Sequence, residues 1–196
     1  MFHVTSREPF RVVGIDPGTS KTGFSALEYH PDQCINVFDA FSCCVPNTLP
    51  YYNDIVDVHG ARVARIMYIT DTFKDLIENF NPHYVICESP HATHIQTFGA
   101  LTECITMFRS ALMYYDTYIP FDLVDPPSVK KNIGVPLGRG NSEARKDKTL
   151  VERLVRARKD VHRLPADYMD EHSFDATAIA LYHIDNRFKR GRHAVS

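Results

Sequence analysis

No stretch of this 196-residue chain approaches the roughly 20 consecutive apolar residues that a membrane-spanning helix needs. Its opening, MFHVTSREPF, lacks the basic-then-apolar pattern of a secretory signal, so an intracellular protein with no membrane partner is expected. There is no C-x-x-C pair, and the five cysteines, Cys34, Cys43, Cys44, Cys87 and Cys104, are an odd number. That argues against a disulfide framework and against a thiolate zinc site, leaving the cysteines as small core residues in a reducing compartment. Internal repeats and low-complexity tracts are also missing. At 44% hydrophobic and 23% charged residues, one ordinary α/β or α+β domain is expected, with its core over about residues 10–185 and a basic tail at 187–196.

The net charge of -2 is small, but it conceals a segregation along the chain. Residues 1–127 carry 7 Lys/Arg against 15 Asp/Glu, whereas residues 128–163 carry 11 against 4. A globally acidic protein with one dense basic segment can turn a positive face to a polyanion without being adhesive everywhere. A solvated helix face is the plainer reading of the same run.

Phe10–Asp16 reads as a short β-branched buried strand, followed by turn residues Pro17, Gly18 and Thr19. Residues 22–29 and 34–41 continue it as an antiparallel meander. Apolar residues at helical spacing from Val63 to Phe80 predict a helix that Asn81-Pro82 ends. A strand at 83–88, a helix at 97–115 and a weaker strand at 118–124 come next. Residues 126–148 read as a Gly, Pro and Lys/Arg-rich loop with one helical turn. A basic helix begins near Leu150, and a last helix covers about 169–186. This order predicts a mixed five-stranded α/β sheet with helices on both faces, and crossover handedness places the fourth strand beside the first.

Asp16 and Glu88 each end an apolar strand. If those strands are neighbours, both carboxylates face the crevice at the carboxyl edge of the sheet, where ligands of open α/β sheets bind. The last helix adds Asp170, Glu171, His172 and Asp175. His172 and Asp175, three residues apart, share a helix face, and Ala176, Ala178 and Ala180 would let that helix lie close to the sheet. Asp170 and Glu171 are accounted for as dipole partners in a first helical turn.

On these segments the chain resembles the RuvC-type Holliday-junction resolvases, nucleases of the ribonuclease H-like fold. GIDPGTSKTG, YVICES and HSFDATAIALYH, with VKKNIGVPLGRGNSEARKDKTLVERL between the last two, stand in the order and separation of that family's catalytic segments. The resemblance spans roughly residues 10–185. It implies metal-binding carboxylates at Asp16, Glu88 and Asp175, with His172 at a fourth ligand position where some members have Asp and others His. It also implies two basic active-site residues, one at Lys130 and one at Lys148 or Lys146. Lys131, Arg139, Arg145, Lys146 and His91 become DNA-contact candidates; His91 stands where other members carry an aromatic residue at the junction centre.

The implied chemistry is coherent. A phosphodiester is anionic and repels hydroxide, and two Mg²⁺ ions roughly 3.5–4 Å apart supply charge neutralisation, a nucleophile and leaving-group stabilisation. Hard cations prefer oxygen ligands. An imidazole at His172 is relatively kinder to Mn²⁺, which is expected to substitute for Mg²⁺. Because a four-way junction needs two symmetric nicks and the chain offers one set of ligands, the resemblance implies a homodimer, with helix 97–115 as an interface candidate through Met107, Met113 and Tyr114. Rival readings are an actin or hexokinase-type phosphate-binding domain, a YqgF-like RNA nuclease and a catalytically silent DNA-binding module. The first requires two domains around a nucleotide, the second fits the length and the HSFD segment less well, and the third would not retain the acidic positions.

Overall fold

The computed structural model describes residues 8–91, 94–136 and 149–189. Three antiparallel strands open the chain: β1 (Phe10–Asp16), β2 (Lys21–Tyr29) and β3 (Ile35–Cys44). A 3-10 turn and helix α1 (Asn53–His59) lead into α2 (Ala61–Phe80), and Asn81, with φ of 50°, ends α2 in the left-handed conformation that Asn tolerates. Strand β4 (Tyr84–Glu88) then runs parallel to β1, as crossover handedness predicts. Helix α3 (Ile95–Tyr115) returns the chain to β5 (Phe121–Val124), which is parallel to β4. Helix α4 (Pro126–Asn132) follows at once, capped by the Asp125 carboxylate, which accepts from Ser128 N–H. Farther on come α5 (Leu150–Arg156), a two-residue strand β6 (Val161–His162) and α6 (Glu171–Ile184).

The sheet has six strands in the order β5-β4-β1-β2-β3-β6, one more than the sequence predicts. The extra strand pairs with β3 through only Ile35 and Asn36, too short a segment to leave a periodic signal. Helix α1 also escapes prediction: it buries none of its residues, so it has no apolar stripe to read.

Successive strand residues point to opposite faces, so each side of the sheet has its own core. On one face, Val13, Ile15, Val85 and Cys87 pack with α2 and α3, where Phe24, Phe73 and Phe108 form mutual ring contacts. On the other, Val12 and Ile86 pack with Phe174, Ala178, Ile179 and Leu181 of α6 and with Val129 and Val155. Helix α6 lies across β1 and β2 at backbone contact. A Cβ built on Gly14 would stand 2.2 Å from the Ala176 carbonyl oxygen, and one on Gly23 would stand 2.0 Å from that of His172. Only glycine at these two positions lets the helix sit at this depth.

Some surface expectations change. Cys43, Cys87 and Cys104 are buried, but Cys44 is exposed and Cys34 only half-buried, because both lie at the ends of β3. Tyr51 and Tyr114 stand almost wholly exposed, whereas Tyr52 donates to Asp71 and Tyr115 to Asn81. Arg187, expected in a free basic tail, belongs to a π-helical turn (Asp185–Lys189), with its guanidinium over the rings of Phe10, Tyr84 and Phe188. Arg158, from the basic segment, is turned inward and bonds both Asp160 and Asp185 at 2.6–3.0 Å.

Candidate active site

Strand polarity and alternation bring the acidic residues together. In the parallel β1–β4 ladder, Ile15 opposes Cys87, so Asp16 and Glu88 lie side by side one step later, at the carboxyl edge of the sheet. Since Val12 and Ile86 face the α6 side, Asp16 and Glu88, each an even number of residues onward, face it too. Helix α6 presents His172 and Asp175 to that edge from its first turns. Strand β5 ends at the same edge, and α4 follows it directly, carrying Lys130 and Lys131 on exposed positions.

The start of α6 is held firmly. Asp170 caps the helix by accepting from Ser173 N–H while Ser173 Oγ accepts from Asp170 N–H, a reciprocal capping box. Thr177 then donates to Ser25 of β2 at 2.9 Å in a buried contact. Within the cluster, His172 Nδ1–H donates to Asp16 Oδ2 at 2.7 Å, and that bond favours the protonated imidazole.

Electrostatics mark the convergence. Burial pushes the Glu88 carboxyl up to about 8, assisted by the charges of Asp16 and Asp175. Burial likewise pushes Asp175 up to about 7, again with Asp16 repelling it. Lys130 opposes both shifts and is the cation common to the two carboxylates. Among the described residues no three His, Cys, Asp or Glu side chains form a closed ligand set, and Asp16 directs one oxygen to His172. The donor chemistry nevertheless fits a hard divalent cation: three carboxylates gathered from a strand end, its neighbour and a facing helix, with one partly exposed imidazole. Such a cation would offset the mutual repulsion that burial sharpens.

His91 is exposed on the loop after β4. Arg139, Arg145, Lys146 and Lys148 lie outside the described residues, so the choice between Lys146 and Lys148 has no geometry here. Sequence reasoning missed Lys21 and Ser42, which both bond Asp170. Nothing in the sequence links positions so far apart, although Asp170-x-x-Ser173 before an apolar run is a legible helix start.

No curated protein sequence matches the chain significantly. Among solved structures, Thermus thermophilus RuvC in complex with a Holliday junction substrate superposes with a TM-score of 0.65 at 18% identity, covering 92% of this chain and 96% of that one. A second T. thermophilus RuvC structure gives 0.60 at 19% identity, with 89% and 93% covered. The yeast mitochondrial Holliday junction resolvase gives 0.58 at 16% identity, with 98% and 87% covered. At these identities the likeness establishes the fold, a mixed sheet of the ribonuclease H-like, RuvC type. The family model described as crossover junction endodeoxyribonuclease RuvC matches residues 12–183, from within β1 almost to the end of α6 and so across all four acidic or imidazole positions. The chain belongs to the RuvC family of crossover junction endodeoxyribonucleases.

Proposed function

We propose that this endonuclease resolves four-way DNA junctions as a homodimer, with Asp16, Glu88 and Asp175 as carboxylate ligands of divalent metal and His172 as a fourth ligand. The observation that carries the reading is the convergence of three carboxylates from β1, β4 and α6 on one edge of the sheet, beside Lys130. RuvC-type resolvases are metal-dependent nucleases. For this chain Mg²⁺ is the expected ion, two per site, with Mn²⁺ able to substitute, because the donors are mainly carboxylate oxygens.

Bound there, the ions would supply charge neutralisation, a nucleophile and leaving-group stabilisation. The protein's own groups do the rest. Asp16, Glu88 and Asp175 fix the donor positions from rigid elements. Lys130, on a helix anchored by the Asp125 cap, brings a positive charge to the scissile phosphate. His172 is partly exposed and bonded to Asp16. Lys148, or Lys146 in its place, is the second basic active-site residue, and Lys131, Arg139, Arg145, Lys146 and His91 serve as contacts to the DNA backbone and junction. Arg158 is withdrawn from that role by its ion pairs with Asp160 and Asp185.

A dimer follows from the substrate's near two-fold symmetry and the single ligand set per chain. The outer face of α3 supports it as the interface: Ile95, Phe98, Met113 and Tyr114 are exposed there, while Met107 packs on the core. The deciding assay compares cleavage of labelled four-way junctions, flaps, linear duplex and single strands with Mg²⁺ and with Mn²⁺. Paired symmetric nicks confined to the four-way junction support the reading; equal cleavage of linear duplex contradicts it. Sedimentation with and without junction DNA tests the stoichiometry, and a monomer that makes both nicks in one bound lifetime refutes the dimer.

A further inference from the structure

We propose that Lys21 and Asp170 form an ion-paired strut that sets the position of α6 relative to Asp16, and thereby the affinity of the site for its divalent cation. The proposal rests on the ligand assignment above.

A single row of residues crosses the sheet at the level of the site: Asp16 on β1 opposes Gly23 on β2, and Gly23 opposes Ser42 on β3. The first turn of α6 touches this row three times. The Ser42 hydroxyl donates to Asp170 Oδ1 at 2.5 Å, the His172 carbonyl rests on Gly23, and His172 Nδ1–H donates to Asp16 Oδ2. Asp170 Oδ1 also accepts from Ser173 N–H, which is all that an N-cap requires. Its second oxygen, Oδ2, is left to Lys21 Nζ at 2.5 Å. Lys21 opens β2, only five residues after Asp16, so the pair joins the turn that carries one ligand to the helix that carries two others.

Ion pairs on open surfaces contribute little, largely because two long side chains must be ordered to form them. Asp170 is already fixed by its cap and by Ser42, so Lys21 meets a carboxylate whose position is set. Lys21 and Asp170 are positioning residues: they act on the cation through the placement of His172 and Asp175.

Charge and position predict opposite signs for one substitution. Removing the Lys21 ammonium beside an acidic cluster would, by charge alone, tighten divalent binding. Loss of positioning weakens it. The experiment is Mn²⁺ titration of the full chain by calorimetry, without DNA, on Lys21→Met, Asp170→Asn, the double variant, Lys21→Arg and Asp16→Asn, with thermal unfolding of each. Asn at 170 still caps the helix and still accepts from Ser42. The Mn²⁺ dissociation constant should rise roughly ten-fold in Lys21→Met and in Asp170→Asn, the scale seen when groups that orient ligands are lost. The double variant should be no weaker than either single one, and Lys21→Arg should stay within about two-fold of the unaltered chain. Mn²⁺ binding in Lys21→Met that is unchanged or tighter, while Asp16→Asn loses it, overturns the strut alone. Independent, additive losses in the double variant also overturn it. Unchanged binding in Asp16→Asn would overturn the ligand assignment itself.

Discussion

His172 Nδ1 stands 2.7 Å from Asp16 Oδ2, joining the first turn of α6 to the carboxyl end of β1 across 156 positions of sequence. The contact makes His172 part of the acidic site and gives it a partner that favours its charged form. Replacing His172 by Asp substitutes a hard oxygen donor for a nitrogen. His172→Asp should retain junction cleavage and raise the ratio of Mg²⁺-supported to Mn²⁺-supported rate. Rates in the two metals at saturation give the answer, and an unchanged ratio counts against ligation by His172.

Lys130 is the cation that Glu88 and Asp175 share. If it acts on the charge that develops during phosphodiester cleavage, Lys130→Ala should reduce single-turnover rate by about 100-fold. Junction affinity should change by less than about three-fold, since most phosphate contacts lie elsewhere. A loss of affinity equal to the loss of rate would assign Lys130 to binding.

Gly23 permits the backbone contact beneath His172. A methyl group in Gly23→Ala would meet a carbonyl oxygen that belongs to a helix, so relief requires moving α6 outward. The substitution should destabilise the protein by about 2–3 kcal/mol in urea unfolding. Near-normal stability would mean that the helix has room to shift.

His183 lies at the opposite end of α6, stacked on Tyr84, and its buried Nε2 has no hydrogen-bond partner among the described residues. Burial first, then the charge of Arg187, lower it from 6.5 to about 4, with Asp122 opposing. Below about pH 6.5 the unfolded chain takes up a proton that the folded chain refuses until about pH 4. The contribution to stability is therefore complete above pH 6.5 and is lost as pH falls toward 4. Between pH 7.5 and 5 the loss should be on the order of 2 kcal/mol. Denaturant unfolding of the unaltered chain and of His183→Phe at both pH values isolates the ring, because Glu88 and Asp175 titrate in both proteins. Equal pH dependence in the two would remove His183 as the cause.

The sequence shows most clearly those features that rest on periodicity. The meander, α2, α3 and the last helix follow from apolar spacing, and the β1–β4 pairing follows from crossover handedness. Asp16 and Glu88 are legible because an ionisable group that ends an apolar strand is conspicuous. Lys21, Ser42 and Asp170 are not, because their association depends on register across β2 and β3 and on the angle at which α6 crosses them. The inward turn of Arg158 is hidden for the same reason: a basic residue paired with Asp185 looks identical, in sequence, to one that faces a phosphate.

Asp16, Glu88 and Asp175 are expected to act together on a divalent cation. The most direct test is single-turnover cleavage of a labelled four-way junction by Asp16→Asn, Glu88→Gln and Asp175→Asn in Mg²⁺ and Mn²⁺, with junction binding measured on the same preparations. Each substitution should abolish cleavage in both metals and leave junction affinity within about three-fold of the unaltered chain. Near wild-type turnover by Asp16→Asn would contradict the account.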